Sequence, residues 1–154
     1  MDPFISIVLV EPEIPPNTGT IGRLCVALDI PLYLVGKLGF EISDRTLKRA
    51  GLDYWEHLTW EHVPDIETLY HRFPEVRFWY LSKKAEKPYY DITFEYGDFL
   101  VFGKETQGLP EDLLEKNAAT SLSIPMRGKT RSINLSNAVS IVAYDAYRQI
   151  IAKR

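Results

Sequence analysis

A single cysteine among 154 residues leaves no disulfide within the chain. Cys25 sits beside Leu24 and Val26, with Leu28 close behind, so it reads as a buried core thiol in a reducing, cytoplasmic compartment. Histidine is scarce as well. His57, His62 and His71 fall in the middle of the chain with neither a neighbouring cysteine nor the helical spacing of a zinc hydrolase, and no metal is assigned. Ser132 and Ser136 have no nearby histidine, which argues against a nucleophilic serine. Charge of neither sign dominates: 18 basic and 21 acidic residues give a net charge of -3, so any nucleic-acid contact has to be local. The opening MDPFISIVLVEP is too short to span a bilayer and carries neither a basic leader nor a small-residue cleavage signal. Missing too are the closely spaced glycines of a dinucleotide fold and the lysine of a phosphate-cradling loop. After the first apolar run the chain reads EPEIPPNTGTIGRLC, where Gly19 and Gly22 match part of the pattern and Pro12, Pro15 and Pro16 predict an extended approach.

What is present is an alternation of strand and helix signals in a length suited to one domain, residues 1–154, burying about 70% of its unfolded surface. Residues 4–10 form a compact apolar run rich in β-branched side chains. A helix is expected from Asn17-Thr18-Gly19 onward, with Ile21, Leu24, Cys25 and Leu28 on one face. Strands are predicted at 31–35, 57–60, 77–81, 98–103 and 120–124, and helices at 43–50, from Pro64 to about residue 72, and one with Pro110 in its first turn. Gly51 is placed to end the second helix. The last helix, 136–151, carries Val139, Val142, Ala143, Ala146 and Ile150 as one apolar stripe. Residues 83–96, with Lys83, Lys84, Lys87 and Pro88, read as an exposed excursion. Such alternation specifies an α/β fold, a mostly parallel sheet flanked by helices.

Two segments concentrate the groups that make a site. LVFGKETQGLPEDLL runs an apolar strand straight into glycine, glutamate and proline. LSIPMRGKTRSINLSNAVSIVAY sets a basic loop between a short strand and a helix entry. Parallel sheets bind ligands beyond the carboxyl ends of their strands, so both point to one pocket. Leu81, Gly103 and Ile124 stand at three predicted strand ends, where free backbone groups can meet a ligand's edges and Gly103 removes side-chain bulk. Met126 and Leu135 offer apolar walls. Asn134, Ser136 and Asn137 fit caps and loop bonds at the last helix start, and Glu105 fits equally a ligand role or an anchor for its loop. Arg127, Lys129 and Arg131 form a positive run suited to phosphates, with Lys83, Lys84 and Lys87 as additions.

Taken together and in order, PEIPPNTGTIGRLC, RAGLDYW, FGKETQGLP and IPMRGKTRSINLSNAVSIVAYDAYRQ resemble the SPOUT-class tRNA 2'-O-ribose methyltransferases, and among them the wobble-nucleotide family. The likeness spans nearly the whole chain. It implies a carboxyl-terminal trefoil knot, S-adenosyl-L-methionine as cofactor, a homodimer and tRNA as substrate. The implied reaction is methyl transfer to the ribose 2'-hydroxyl of a wobble cytidine or modified uridine in leucine tRNA. It matches Leu81, Gly103, Ile124 and Ser132 to cofactor-binding positions and Arg23 to a catalytic one, with Asn17 organising the same segment. A guanidinium stays protonated, so Arg23 is expected to grip phosphate and stabilise developing negative charge rather than act as a base. The last helix, with Tyr144 and Tyr147 beside Val139, Ala143 and Ala146, is the expected dimer surface, and packing on the chain's own sheet explains the same pattern. Thr20 after NTG and the RGKT loop depart from the commoner family sequences, which bears on substrate choice. Ribose methylation of ribosomal RNA or another tRNA position, and a noncatalytic RNA-binding dimer, remain alternatives.

Overall fold

The computed structural model describes residues 2–42 and 54–152. The helix expected at 43–50 and its terminating Gly51 lie outside the described residues. Six strands, β1 (Ile5–Val10), β2 (Leu32–Val35), β3 (Trp60–Val63), β4 (Phe78–Leu81), β5 (Asp98–Phe102) and β6 (Ser121–Leu122), form one sheet in the order β3-β2-β1-β5-β4-β6. Every pairing is parallel. Parallel strands buried on both faces need continuous apolar runs, and all six residues of β1 and all five of β5 are buried.

The two-residue period of the strands divides the core into two layers. Ile5, Ile7 and Leu9 of β1, Leu32 and Leu34 of β2, and Leu100 and Phe102 of β5 pack on one face. Helices α1 (Pro15–Leu28) and α4 (Leu135–Tyr147) cover it through Ile21, Cys25, Val139, Val142, Ala143 and Ala146. On the opposite face Val8, Val10, Tyr80, Phe99 and Val101 meet Ile66 and Leu69 of α2 (Ile66–Arg72), with Leu113 and Leu114 of α3 (Glu111–Lys116) against the same layer. Cys25 is fully buried, and burial pushes its thiol well above the usual range. Among the described residues no helix is long and apolar enough to cross a membrane.

Several boundaries differ from the sequence expectation. Pro15 and Pro16 begin α1 instead of extending the approach to it, because first-turn amides have no intrahelical acceptor and proline has none to lose. The strand expected at 57–60 is a 3-10 turn, Trp55–His57, followed by β3. Asp65, not Pro64, caps α2, its carboxylate accepting the Thr68 amide at 2.9 Å. Pro110 precedes α3 rather than starting it. The last strand shrinks to two residues, and Ser123 continues it only as an isolated bridge to Pro88. The 83–96 excursion is thereby tied to the sheet edge, since the Ser123 amide donates to Lys87 O and the Tyr89 amide to Ser123 O, both at 2.8 Å.

The amino end of β5 carries the most enclosed charge among the described residues. Asp98 is 2% exposed. It accepts Arg77 Nε at 2.9 Å and Nη2 at 2.6 Å, Trp79 Nε1 at 2.9 Å and the Glu95 amide at 2.8 Å. Hydrogen bonding to Asp98 raises Arg77 above the ordinary guanidinium range. Asp98→Ala would strand Trp79 Nε1 and Arg77 Nε, while the Arg77 Nη groups keep Thr93 O at 2.9 Å and Glu95 at 3.0 Å. Removing one partner of a buried pair costs about 3–5 kcal/mol, and the partial exposure of Arg77 points to the lower end. Urea unfolding of the variant should show a loss of about 3 kcal/mol; a loss below about 1 kcal/mol would contradict this account.

Candidate active site

The carboxyl ends of β4 and β5 open into a cleft. Its floor is Leu81 and Phe102, Gly103 with the 104–108 turn forms one side, and the segment after β6 forms the other. Leu81, Gly103, Ile124 and Ser132, picked out from separate segments, all line it. Met126 and Leu135 supply apolar wall as expected, and Ala138 and Leu109 add to it. A Cβ at Gly103 would collide with the backbone of Gly108 and Leu109, so the side chain is excluded by the chain's own turn rather than by a ligand. That turn closes through the Gly108 amide to Lys104 O at 2.9 Å, with Gly108 at φ +69°, a conformation natural to glycine.

Glu105 anchors loops. Its carboxylate accepts the Glu13 amide at 2.8 Å, the Ile14 amide at 2.9 Å and Asn17 Nδ2 at 3.2 Å. Helix α1 has no side-chain cap and no acid in its first turn, so this carboxylate brings negative charge to the positive helix end from far along the chain. Asn17 passes the connection on, accepting Asn134 Nδ2 at 3.2 Å, while Asn134 Oδ1 caps α4 by accepting the Ser136 amide at 2.9 Å. The starts of α1 and α4 are thus joined through Asn17.

Arg23 is not among the residues lining the cleft. It stands exposed on α1 with its guanidinium 5.9 Å from the centre of the Tyr54 ring, and the Tyr54 hydroxyl donates to Gly19 O. Gly22 gives the adjoining Trp55 ring room to lie against the helix. Tyr54 and Trp55 end the RAGLDYW segment, and their contact with the arginine helix is a tertiary fact.

The cations divide into paired and unpaired sets. Lys84 meets Glu111 at 2.9 Å and Lys104 meets Glu11 at 3.5 Å. Arg127, Lys129 and Arg131 are exposed, and among the described residues no ion pair engages them. An acidic chain therefore presents an uncompensated positive run on the segment that also walls the cleft. The proposed dimer stripe is corrected in part: Val139, Ala143 and Ala146 are fully buried in the chain's own core, leaving Tyr144 and Ile141 as the exposed apolar side chains of α4. His62 bonds Gly36 O at 2.7 Å, a structural contact.

Apolar walls, strand-end backbone and a glycine turn suit a nucleoside with a polar tail, which fits S-adenosylmethionine. Known proteins agree with that chemistry. A tRNA (cytidine(34)-2'-O)-methyltransferase of Saccharophagus degradans is 45% identical, with 96% of each chain covered. The Escherichia coli K12 protein of the same name is 42% identical over 96% of this chain and 94% of its own. A solved structure described as giving insight into the 2-OH methylation of C/U34 on tRNA superposes with a TM-score of 0.91 at 42% identity, covering 97% of both chains. An AdoMet-bound rRNA methyltransferase from Sinorhizobium meliloti superposes at 0.83 with 25% identity, covering 96% of this chain and 58% of its own. The family model described as SpoU rRNA Methylase matches residues 5–144, and the chain belongs to that family.

Proposed function

We propose that this protein transfers a methyl group from S-adenosylmethionine to the ribose 2'-hydroxyl of the tRNA wobble nucleotide, a cytidine or modified uridine, in leucine tRNA. The observation that carries the reading is the convergence of Leu81, Gly103, Ile124 and Ser132 on one cleft beside the unpaired Arg127, Lys129 and Arg131. The names of the relatives in Saccharophagus and Escherichia support the substrate. Bound S-adenosylmethionine supplies an electrophilic methyl, and displacement needs the ribose oxygen in line with it, so the chain's work is chiefly positioning.

In this reading Leu81, Ile124 and Met126 hold the adenosine, the 103–108 backbone and Ser132 bond its polar edges, and the basic run takes RNA phosphates. Arg23 works from the RNA side, outside the cofactor cleft. Its permanently charged guanidinium grips the phosphate next to the target and stabilises negative charge on the hydroxyl oxygen as the proton leaves. A homodimer, with Tyr144 and Ile141 at the contact, a cytoplasmic setting and a single domain over residues 1–154 belong to the same proposal. So does the trefoil knot, which the resemblance to the SPOUT-class enzymes implies. The family description and the Sinorhizobium structure favour ribosomal RNA as the second reading. Mapping methylated nucleotides in RNA from cells with and without the protein separates the two.

Calorimetry should detect S-adenosylmethionine or S-adenosylhomocysteine binding to the folded protein; no affinity for either would end the enzymatic reading. Arg23→Ala should keep that affinity within about twofold and lower labelled methyl transfer by about 100-fold. Near-normal turnover would remove Arg23 from the mechanism. Binding of tRNA should weaken as salt rises, and replacing Arg127, Lys129 and Arg131 together by alanine should flatten the log-log slope by about 2. An unchanged slope would place the phosphates elsewhere.

A further inference from the structure

The pairing of β1 with β5 does not stop where the strands end. Leu9 lies beside Phe102 in the sheet, Glu11 pairs with Lys104 at 3.5 Å, and Glu13 bonds Thr106. The same sequence offset is kept through all three, so side chains carry on the register after the backbone ladder has ended. At Glu13 the link becomes reciprocal. Glu13 Oε1 accepts both the Thr106 amide at 3.1 Å and the Thr106 hydroxyl at 2.7 Å, while Glu105 accepts the amides of Glu13 and Ile14. The Thr106 hydroxyl bond, then the amide bond, hold the Glu13 carboxyl below the ordinary carboxylate range, which favours the acceptor form.

Thr106 is at the apex of the turn that forms one side of the cleft, and it is exposed. Inside the turn the Gly108 amide bonds Lys104 O, a contact that joins the base and leaves the apex to be held from outside. We propose that Glu13 is a positioning residue for the methyl-donor cleft, fixing the 104–108 turn from the loop before α1 through its two hydrogen bonds with Thr106. This rests on the methyl-transfer reading above. A turn already fixed needs no ordering when the donor binds, and the ordering entropy that would weaken binding is absent.

The test is calorimetric. Relative to the native protein, Glu13→Ala should raise the Kd for S-adenosylhomocysteine by about tenfold, a loss of about 1.4 kcal/mol. The kcat at saturating S-adenosylmethionine and the KM for tRNA should stay within about twofold. Glu13→Gln keeps an acceptor oxygen for both Thr106 donors and should restore the Kd to within about threefold. Thr106→Val, which drops the hydroxyl bond alone, should raise the Kd by about threefold and remains informative if Glu13→Ala does not fold. A Kd within twofold of native in Glu13→Ala, or in Thr106→Val where the alanine variant fails to fold, would overturn the proposal. So would a glutamine variant as impaired as alanine. A native protein that binds neither nucleoside would instead overturn the methyl-transfer reading itself.

Discussion

The parallel pairing of β1 with β5 is the contact on which the rest of this structure depends. These strands, nearly a hundred residues apart, are the two innermost of the sheet and are buried along their full lengths. Each contributes alternate side chains to both core layers, so the helices on either face are placed against it. Once the register is set, the loops after the two strands emerge side by side. Glu11, Glu13 and Ile14 then meet Lys104, Thr106 and Glu105 without further choice. The site is a consequence of one register, and a slip by a residue would exchange the two core faces and part the loops together.

Polar groups at the carboxyl ends of the strands are spent largely on one another. Glu105 serves the amides before α1, Asn17 joins α1 to Asn134, and Asn134 caps α4. Carboxamide and carboxylate side chains here replace caps that the local sequence of α1 lacks. Glu105, which also lines the cleft, thereby ties that wall to the starts of both helices. The positive run at 127–131 is the contrast: among the described residues no ion pair engages it, in a chain whose net charge is negative. Charges kept free of internal partners retain their hydration and their field for an external polyanion.

Much of the fold was readable from local chemistry. β-branched and aromatic runs located β1, β2, β4 and β5 closely and β6 in part, and the apolar stripe located α4, because burial selects those residue types wherever the chain is buried on one or both sides. β3 begins at Trp60, the last residue of the expected 57–60, because Thr59 and Trp60 carry strand propensity while His57 closes a tight turn, Trp55–His57. The proline-rich entry was misread because proline is equally content in an extended segment and in a first helical turn, and only the following contacts decide. Of the site, Leu81, Gly103, Ile124 and Ser132 were found from strand ends and resemblance, and they share one cleft. Glu13 and Thr106 carried no signal of their own: an acid in a loop and a threonine in a turn are ordinary until they are seen together.

The sequence by itself determined the alternation of elements, their buried faces, the kinship of the chain and the local excess of positive charge, because each is written in neighbouring residues or in motif order. Tertiary structure alone decided which strands lie side by side, that Gly103 is demanded by its own turn, that the small residues of α4 serve the chain's own core, and that Arg23 stands apart from the cleft under the Tyr54 ring. Those are properties of residues distant in sequence. They follow from which pairings close with the least strain and the fewest stranded polar groups, and no window of neighbouring residues contains that comparison.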